Sequence, residues 1–288
     1  MRIIFMGTPD FAVASLEQLV EQGYDIVGVY TQPDRPKGRK QVITPSPVKV
    51  AAEKFGIPVY QPERIRKEEE VLIVRELKPD LIVTAAYGQI LPRALLDIPH
   101  LGCINVHASL LPRNRGGAPI HWSIIRGEKE TGVTIMYMVE ALDAGDMISK
   151  VVVPITDDDN VGTLHDKLAL AGADLLIETL PKLIAGEMSP EAQSESLVTY
   201  STNIKRDDEK LNWNKTNREI YNQIRGLSPW PVAYTTLENE VWKIWGAQLG
   251  SNKPHLVSTP GTIIEITDHA IEVATGEGSI LLIVIQPA

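Results

Sequence analysis

Residues 102–113 read Gly-Cys-Ile-Asn-Val-His-Ala-Ser-Leu-Leu-Pro-Arg, a short apolar run that breaks into a polar cluster ahead of a proline. Such a run suits a buried strand that travels from core to surface. With a two-residue period, Asn105 and His107 fall on the same side of that strand, at the sheet edge where it ends. Asn105 offers two N–H donors, and His107 donates as a cation or accepts when neutral. Those groups can stabilise an oxyanion and move a proton. A capping asparagine and a satisfied surface histidine share the same spelling, so the surroundings decide.

The chain has 288 residues, enough for a large core and for one or two domains. Hydrophobic residues at 43% and charged residues at 23% are ordinary for a globular protein. Residues 1–7 form an apolar run with no small-residue cleavage site and read as a first strand rather than a signal peptide. No apolar stretch approaches the roughly 20 residues of a membrane span. The single cysteine, Cys103, excludes an internal disulfide and agrees with a reducing cytoplasm. Its place in an apolar strand favours a core residue over a nucleophile. The net charge of −9 repels nucleic acid, so a polyanionic partner must meet a local basic patch.

Taken in order, residues 2–6 predict a strand, then a Gly7-Thr8-Pro9-Asp10 turn and a helix with Asp10 at its N-cap. The Gly-x-Gly-x-x-Gly fingerprint of a dinucleotide site is missing from that turn. A second strand is expected over 24–30. Residues 31–40 suit no regular element, and between Thr31 and Lys54 six Lys/Arg face two Asp/Glu. Arg35, Lys37, Arg39 and Lys40 at the tip of this loop are either solvated or placed to follow a phosphate backbone. Helices over 48–55 and 63–77 bracket a short strand at 57–60. The near-continuous apolar residues 81–85 fit a parallel strand covered on both faces. The loop 87–92 leaves its carboxyl end, where open α/β sheets bind ligands.

Beyond His107, two glycines, two prolines and two arginines in 109–119 predict a fixed loop, followed by a helix over 118–126. Strands at 131–138 and 147–154 flank an acidic turn that carries Asp143. A carboxylate there either accepts an imidazole N–H or simply forms the turn. A long helix over 163–184 follows. From 205 onward a helix at 216–225 leads into short strands at 233–237, 240–245, 261–266, 270–274 and 279–285, spaced at roughly ten residues as in a small OB-type barrel. Trp213, Trp230, Trp242 and Trp245 serve as its core or as a stacking surface. The expected class is α/β: a Rossmann-like, mostly parallel sheet domain over 1–189, a linker over 190–204, and a smaller OB-like β-barrel domain over 205–288.

Asn105-Val106-His107-Ala108-Ser109-Leu110-Leu111-Pro112-Arg113, followed by Leu142-Asp143-Ala144-Gly145-Asp146, resembles the signature of the 10-formyltetrahydrofolate-dependent formyltransferases. The opening Ile4-Phe5-Met6-Gly7-Thr8-Pro9-Asp10-Phe11 and the loop from Thr31 to Arg39 narrow the resemblance to the branch acting on methionyl initiator tRNA, and it extends to Leu227-Ser228-Pro229-Trp230-Pro231. It implies transfer of a formyl group from 10-formyltetrahydrofolate to the α-amine of methionine on that tRNA. The implied catalytic set is Asn105, His107 and Asp143, with no covalent enzyme intermediate and no metal. Ser109, Leu110, Leu111 and Pro112 would border the folate, and Gln89, Ile90 and Leu91 the pterin pocket. Arg35, Lys37, Arg39 and Lys40 become tRNA contacts, and the second domain supports the tRNA. The family continues past Ala288, so the barrel is expected to lack its final segment. A cytoplasmic monomer is the expected state.

Four rivals stand beside this reading. The acceptor is a small amine, glycinamide ribonucleotide or an amino-sugar nucleotide, or water replaces it. The chain is a non-catalytic RNA-binding module, which intact Asn105, His107 and Asp143 oppose. It is a hydrolase using Ser109, His107 and Asp143, although no Gly-x-Ser-x-Gly elbow is present. It holds zinc through Cys103, His107 and His121, which lack zinc-ligand spacing.

Overall fold

The computed structural model describes residues 1–38, 40–251 and 259–287. Its contacts group the chain into two units, one of Met1–Arg115, Gly132–Val153 and Asp166–Tyr200, the other of Gly116–Thr131, Pro154–His165 and Ser201–Ala288. The 190–204 stretch is thus shared between them, with its first part packed in the first unit.

In chain order the first elements are β1 (Arg2–Gly7), α1 (Asp10–Glu21), β2 (Asp25–Tyr30), β3 (Arg35–Lys37), β4 (Val42–Thr44), α2 (Pro47–Lys54), β5 (Val59–Tyr60), α3 (Glu68–Glu76), β6 (Leu81–Ala85), α4 (Arg93–Leu96) and β7 (Cys103–His107). Then come α5 (Pro119–Ile125), β8 (Glu130–Tyr137), β9 (Met147–Pro154) and α6 (Val161–Ile184). Seven strands form one sheet in the order β5-β2-β1-β6-β7-β8-β9. β5, β2, β1, β6 and β7 run parallel, and β8 returns antiparallel to β7. All five residues of β6 are buried, as expected of a central strand with both faces covered. Burying each such aliphatic side chain contributes about 1.5–3 kcal/mol.

The strand order reverses between β1 and β6, so the loops leaving their carboxyl ends meet. Thr8 Oγ1 donates to the Tyr87 carbonyl at 3.0 Å, and Gln32 Nε2 reaches the same oxygen at 3.1 Å. On the other face of β7, Gly172 of α6 lies so close that a Cβ there would come within 2.9 Å of Val106 Cγ1. With Val106 facing that helix, the pleat turns Asn105 and His107 the other way.

The second unit holds α7 (Arg206–Glu209), α8 (Asn217–Gly226) and an antiparallel sheet of β10 (Ala233–Leu237), β11 (Glu240–Leu249), β12 (Ile263–Ile266), β13 (Ile271–Ala274) and β14 (Ser279–Pro287). Its order, β10-β11-β14-β13-β12, makes a five-stranded OB-like domain. Helix α8 starts at a capping box between Thr216 and Glu219 and packs Ile220 and Ile224 against Ile244, Val273 and Ile280. The tryptophans divide: Trp213 packs against that core and donates to Thr235 Oγ1, whereas Trp230 is exposed.

Several local expectations change. Residues 31–40 are not without regular structure, because β3 and β4 pair as a small antiparallel hairpin. Asp10 is the first helical residue, with Pro9 at the N-cap, so it faces the helix dipole rather than capping it. The helix expected over 63–77 shortens to Glu68–Glu76, because the stretch before it is tied down by the Gln89 side chain.

Candidate active site

β7 delivers Asn105 and His107 to the sheet edge, with Asn105 half-buried and His107 6% exposed. The β6–β7 register sets Thr84 opposite Asn105, and the Thr84 hydroxyl donates to Asn105 Oδ1 at 2.7 Å. With Oδ1 accepting, the amide nitrogen and its two N–H groups are the end left to serve a ligand. Across the other neighbour, His107 pairs with Thr134 of β8.

The imidazole lies between two oxygens. Nε2 bonds the Asn114 carbonyl at 3.1 Å, so Nε2 carries a proton there. Nδ1 faces Asp143 Oδ1 at 3.7 Å. That separation is beyond hydrogen-bond reach, leaving Nδ1 as the ring nitrogen open to a third group with a carboxylate beside it. Asp143 and Asn114 both adopt left-handed backbone, with φ of 48° and 60°, which Asp and Asn tolerate better than most residues. Beside Asp143, a Cβ on Gly145 would run into the Tyr137 carbonyl oxygen, so the turn needs glycine there.

The loop after His107 is built on internal bonds. Ser109 is fully buried and its hydroxyl donates to the Arg113 carbonyl at 2.7 Å. Thr134 Oγ1 donates to the Ser109 carbonyl and accepts from the Leu111 amide, which fixes the loop on β8. Leu111 is buried with Met136 and Met147, while Leu110 and Pro112 are half-buried. A Ser109 hydroxyl engaged this way and buried is poorly placed as a nucleophile.

At the switch point, a cleft of about 460 Å³ is lined by Gln32, Glu63, Arg64, Arg66, Gly88, Gln89 and Ile90. Gln89 uses its side chain structurally, accepting from the Ile65 amide and donating to the Pro62 carbonyl. Ile90 is 77% exposed, whereas Leu91 is buried in the core with Tyr30 and Leu95. Leu91 therefore turns away from the cleft.

Of the basic group, Arg35 is exposed on the hairpin and pairs with Glu63 at 2.8 Å. Lys40 is exposed. Arg39 and the side chain of Lys37 lie outside the described residues. The hairpin is anchored at its base by Lys49 and Gln61, both bonded to the Asp34 carboxylate, which hold that carboxyl below its usual range.

Burial pushes the Cys103 thiol up to about 12, so it is no thiolate nucleophile. Among the described residues no group of three or more His, Cys, Asp or Glu gathers to hold a metal, and no helix is long and apolar enough to cross a membrane. Four contributors escaped sequence reasoning: Thr84, Asn114, Arg115 and Gln193. Thr84 alone left a trace, as the one polar residue in an apolar strand next to β7.

An open, mostly parallel sheet with an Asn–His–Asp set at its carboxyl edge, joined to an OB-like unit, matches two family models: formyl transferase over residues 1–180 and formyl transferase C-terminal domain over 203–288. The chain belongs to the formyl transferase family. Within it, the methionyl-tRNA formyltransferases of Bacillus velezensis and Bacillus subtilis are each 62% identical over all of this chain and 90% of their own length. Among solved structures, an N-formyltransferase from Helicobacter canadensis in complex with folinic acid and dTDP-3-aminofucose superposes with a TM-score of 0.71 at 20% identity over 99% of both chains. HypX from Aquifex aeolicus with tetrahydrofolic acid superposes at 0.66 and 16% identity, over all of this chain and 46% of its own. At such identities these two share the fold.

Proposed function

We propose that this chain transfers the formyl group of 10-formyltetrahydrofolate to the α-amine of methionyl initiator tRNA. The 62% identity to methionyl-tRNA formyltransferases over the full chain carries this reading. The geometry supplies a mechanism. The neutral amine attacks the formyl carbon, and the carbonyl oxygen becomes an oxyanion. Asn105, held by Thr84 through its oxygen, turns its N–H groups to that oxyanion. His107 takes the amine's surplus proton at Nδ1 and passes it to N10 of the folate as the C–N10 bond breaks. Asp143 at 3.7 Å stabilises the imidazolium between the two transfers. The amine is itself the nucleophile, so no acyl-enzyme is required.

The folate lies along the loop of Ser109, Leu110, Leu111 and Pro112, through backbone and half-buried faces, with Gln89 and Ile90 at the switch-point cleft. The basic stretch of Arg35, Lys37, Arg39 and Lys40 follows the phosphates at the acceptor end of the tRNA, and residues 205–288 give further support. The enzyme works as a monomer in the cytoplasm, a compartment in keeping with its one, buried, free cysteine.

An acceptor competition tests this. With 10-formyltetrahydrofolate and both methionyl initiator tRNA and glycinamide ribonucleotide present, formyl should accumulate on the tRNA and weaken with Arg39→Ala. Formyl on the small amine alone overturns the assignment of the acceptor.

A further inference from the structure

The stretch between Glu191 and Tyr200 is more than a connection. Glu191 exchanges two backbone bonds with Met147 of β9, both at 2.8 Å. Two residues on, Gln193 Nε2 donates to the carbonyl oxygens of Asp143 and Gly145, at 2.7 and 2.8 Å. Its Oε1 accepts from Nε of Arg115 at 2.9 Å. Arg115 is only 3% exposed, and its Nη2 also pairs with Glu195. Since a guanidinium can only donate, it fixes which end of the Gln193 amide faces the turn. Further along, Thr199 accepts from the Asn114 amide through Oγ1 and from the Arg115 amide through its carbonyl, each at 2.9 Å.

Both oxygens that flank the His107 ring therefore belong to segments tied to this one strap. The Asp143 turn hangs on Gln193, and the Asn114 carbonyl hangs on Thr199 and Arg115. Asp143 sits in left-handed backbone, and two side-chain donors on the turn's carbonyls resist its relaxation.

We infer that Gln193 is a positioning residue for formyl transfer, holding the Asp143 carboxylate in place beside His107 through the Asp143–Gly145 turn. This rests on the catalytic role proposed for Asp143. A displacement on the order of 1 Å at a reacting group costs up to about 10²-fold in rate.

The test uses Gln193→Glu, which keeps the shape and the Arg115 contact but offers no N–H to the two carbonyls, beside Gln193→Ala. Each is made in the native chain and with Asp143→Asn, and kcat and KM for folate and tRNA are measured. The expected result is a fall in kcat of about 10- to 100-fold for both Gln193 variants, with both KM values within about twofold. In the Asp143→Asn background the same changes should add less than about twofold, since groups acting through one another are not additive. Unchanged kcat, a rise in KM alone, or an equal further loss in the Asp143→Asn background overturns the inference. If Asp143→Asn itself leaves kcat intact, the reading of the site falls and takes this inference with it.

Discussion

The hydroxyl of Thr84 donates to Asn105 Oδ1 across 2.7 Å, from one parallel strand to the next, at a point where the two residues are also backbone partners. Register thus decides which end of the amide is tied to the protein and which is left for a ligand. Thr84→Val keeps the volume and removes the hydroxyl, so the amide loses the bond that orients it. A neutral bond of this kind contributes about 0.5–1.5 kcal/mol, which corresponds to a loss of up to about tenfold in kcat. Thr84→Ser should restore most of the rate, and steady-state kinetics on the two variants check it.

Gly145→Ala drives a methyl group into the Tyr137 carbonyl and must shift the Asp143 turn. Overpacking of this kind costs about 1–3 kcal/mol. Thermal unfolding should show a lower midpoint, and kcat should fall beyond what the lost stability explains, because the displaced residue is Asp143.

Cys103 gives a signature at alkaline pH. Its thiol ordinarily ionises near 9 and burial raises that to about 12. The folded state therefore holds the proton where the unfolded chain releases it. This contribution to stability is fully present below about pH 9 and is lost as pH rises through about 12. At pH 8 a thiol reagent should label the denatured chain quickly and the native chain at the rate of opening.

The hairpin carries the electrostatic prediction. Lys40→Ala should raise KM for tRNA with kcat unchanged and lower the magnitude of the salt slope of tRNA affinity by about 1, as expected for one lost phosphate contact. Arg35→Ala should do less, because Arg35 is paired with Glu63. Titrating affinity against salt for both variants separates them.

Much of this was legible from residue patterns. The four apolar residues of β6 and the alternation in β7 marked the sheet and placed Asn105 and His107 together. The Asp-Ala-Gly spelling marked the turn that brings Asp143 to them. What stayed hidden depends on partners far apart in sequence: Thr84 meets Asn105 through strand register, and Gln193 reaches Asp143 from 50 residues away. The resemblance implies a place for Leu91 at the pterin pocket, and its loop does leave a strand at the ligand-binding edge, yet its side chain turns into the core. Loop position foretold the neighbourhood and could not foretell the direction of a side chain. The hairpin of β3 and β4 was masked by prolines and glycine, which weaken strand propensity without forbidding so short a pairing.

The most direct measurement is the single-turnover rate of formyl transfer from 10-formyltetrahydrofolate to methionyl initiator tRNA, for the native chain and for His107→Ala, with tRNA binding followed in parallel. The account predicts a loss of about 10²- to 10⁴-fold in rate with binding unchanged, the range for removing a general acid–base. Equal rates in the two proteins would contradict it.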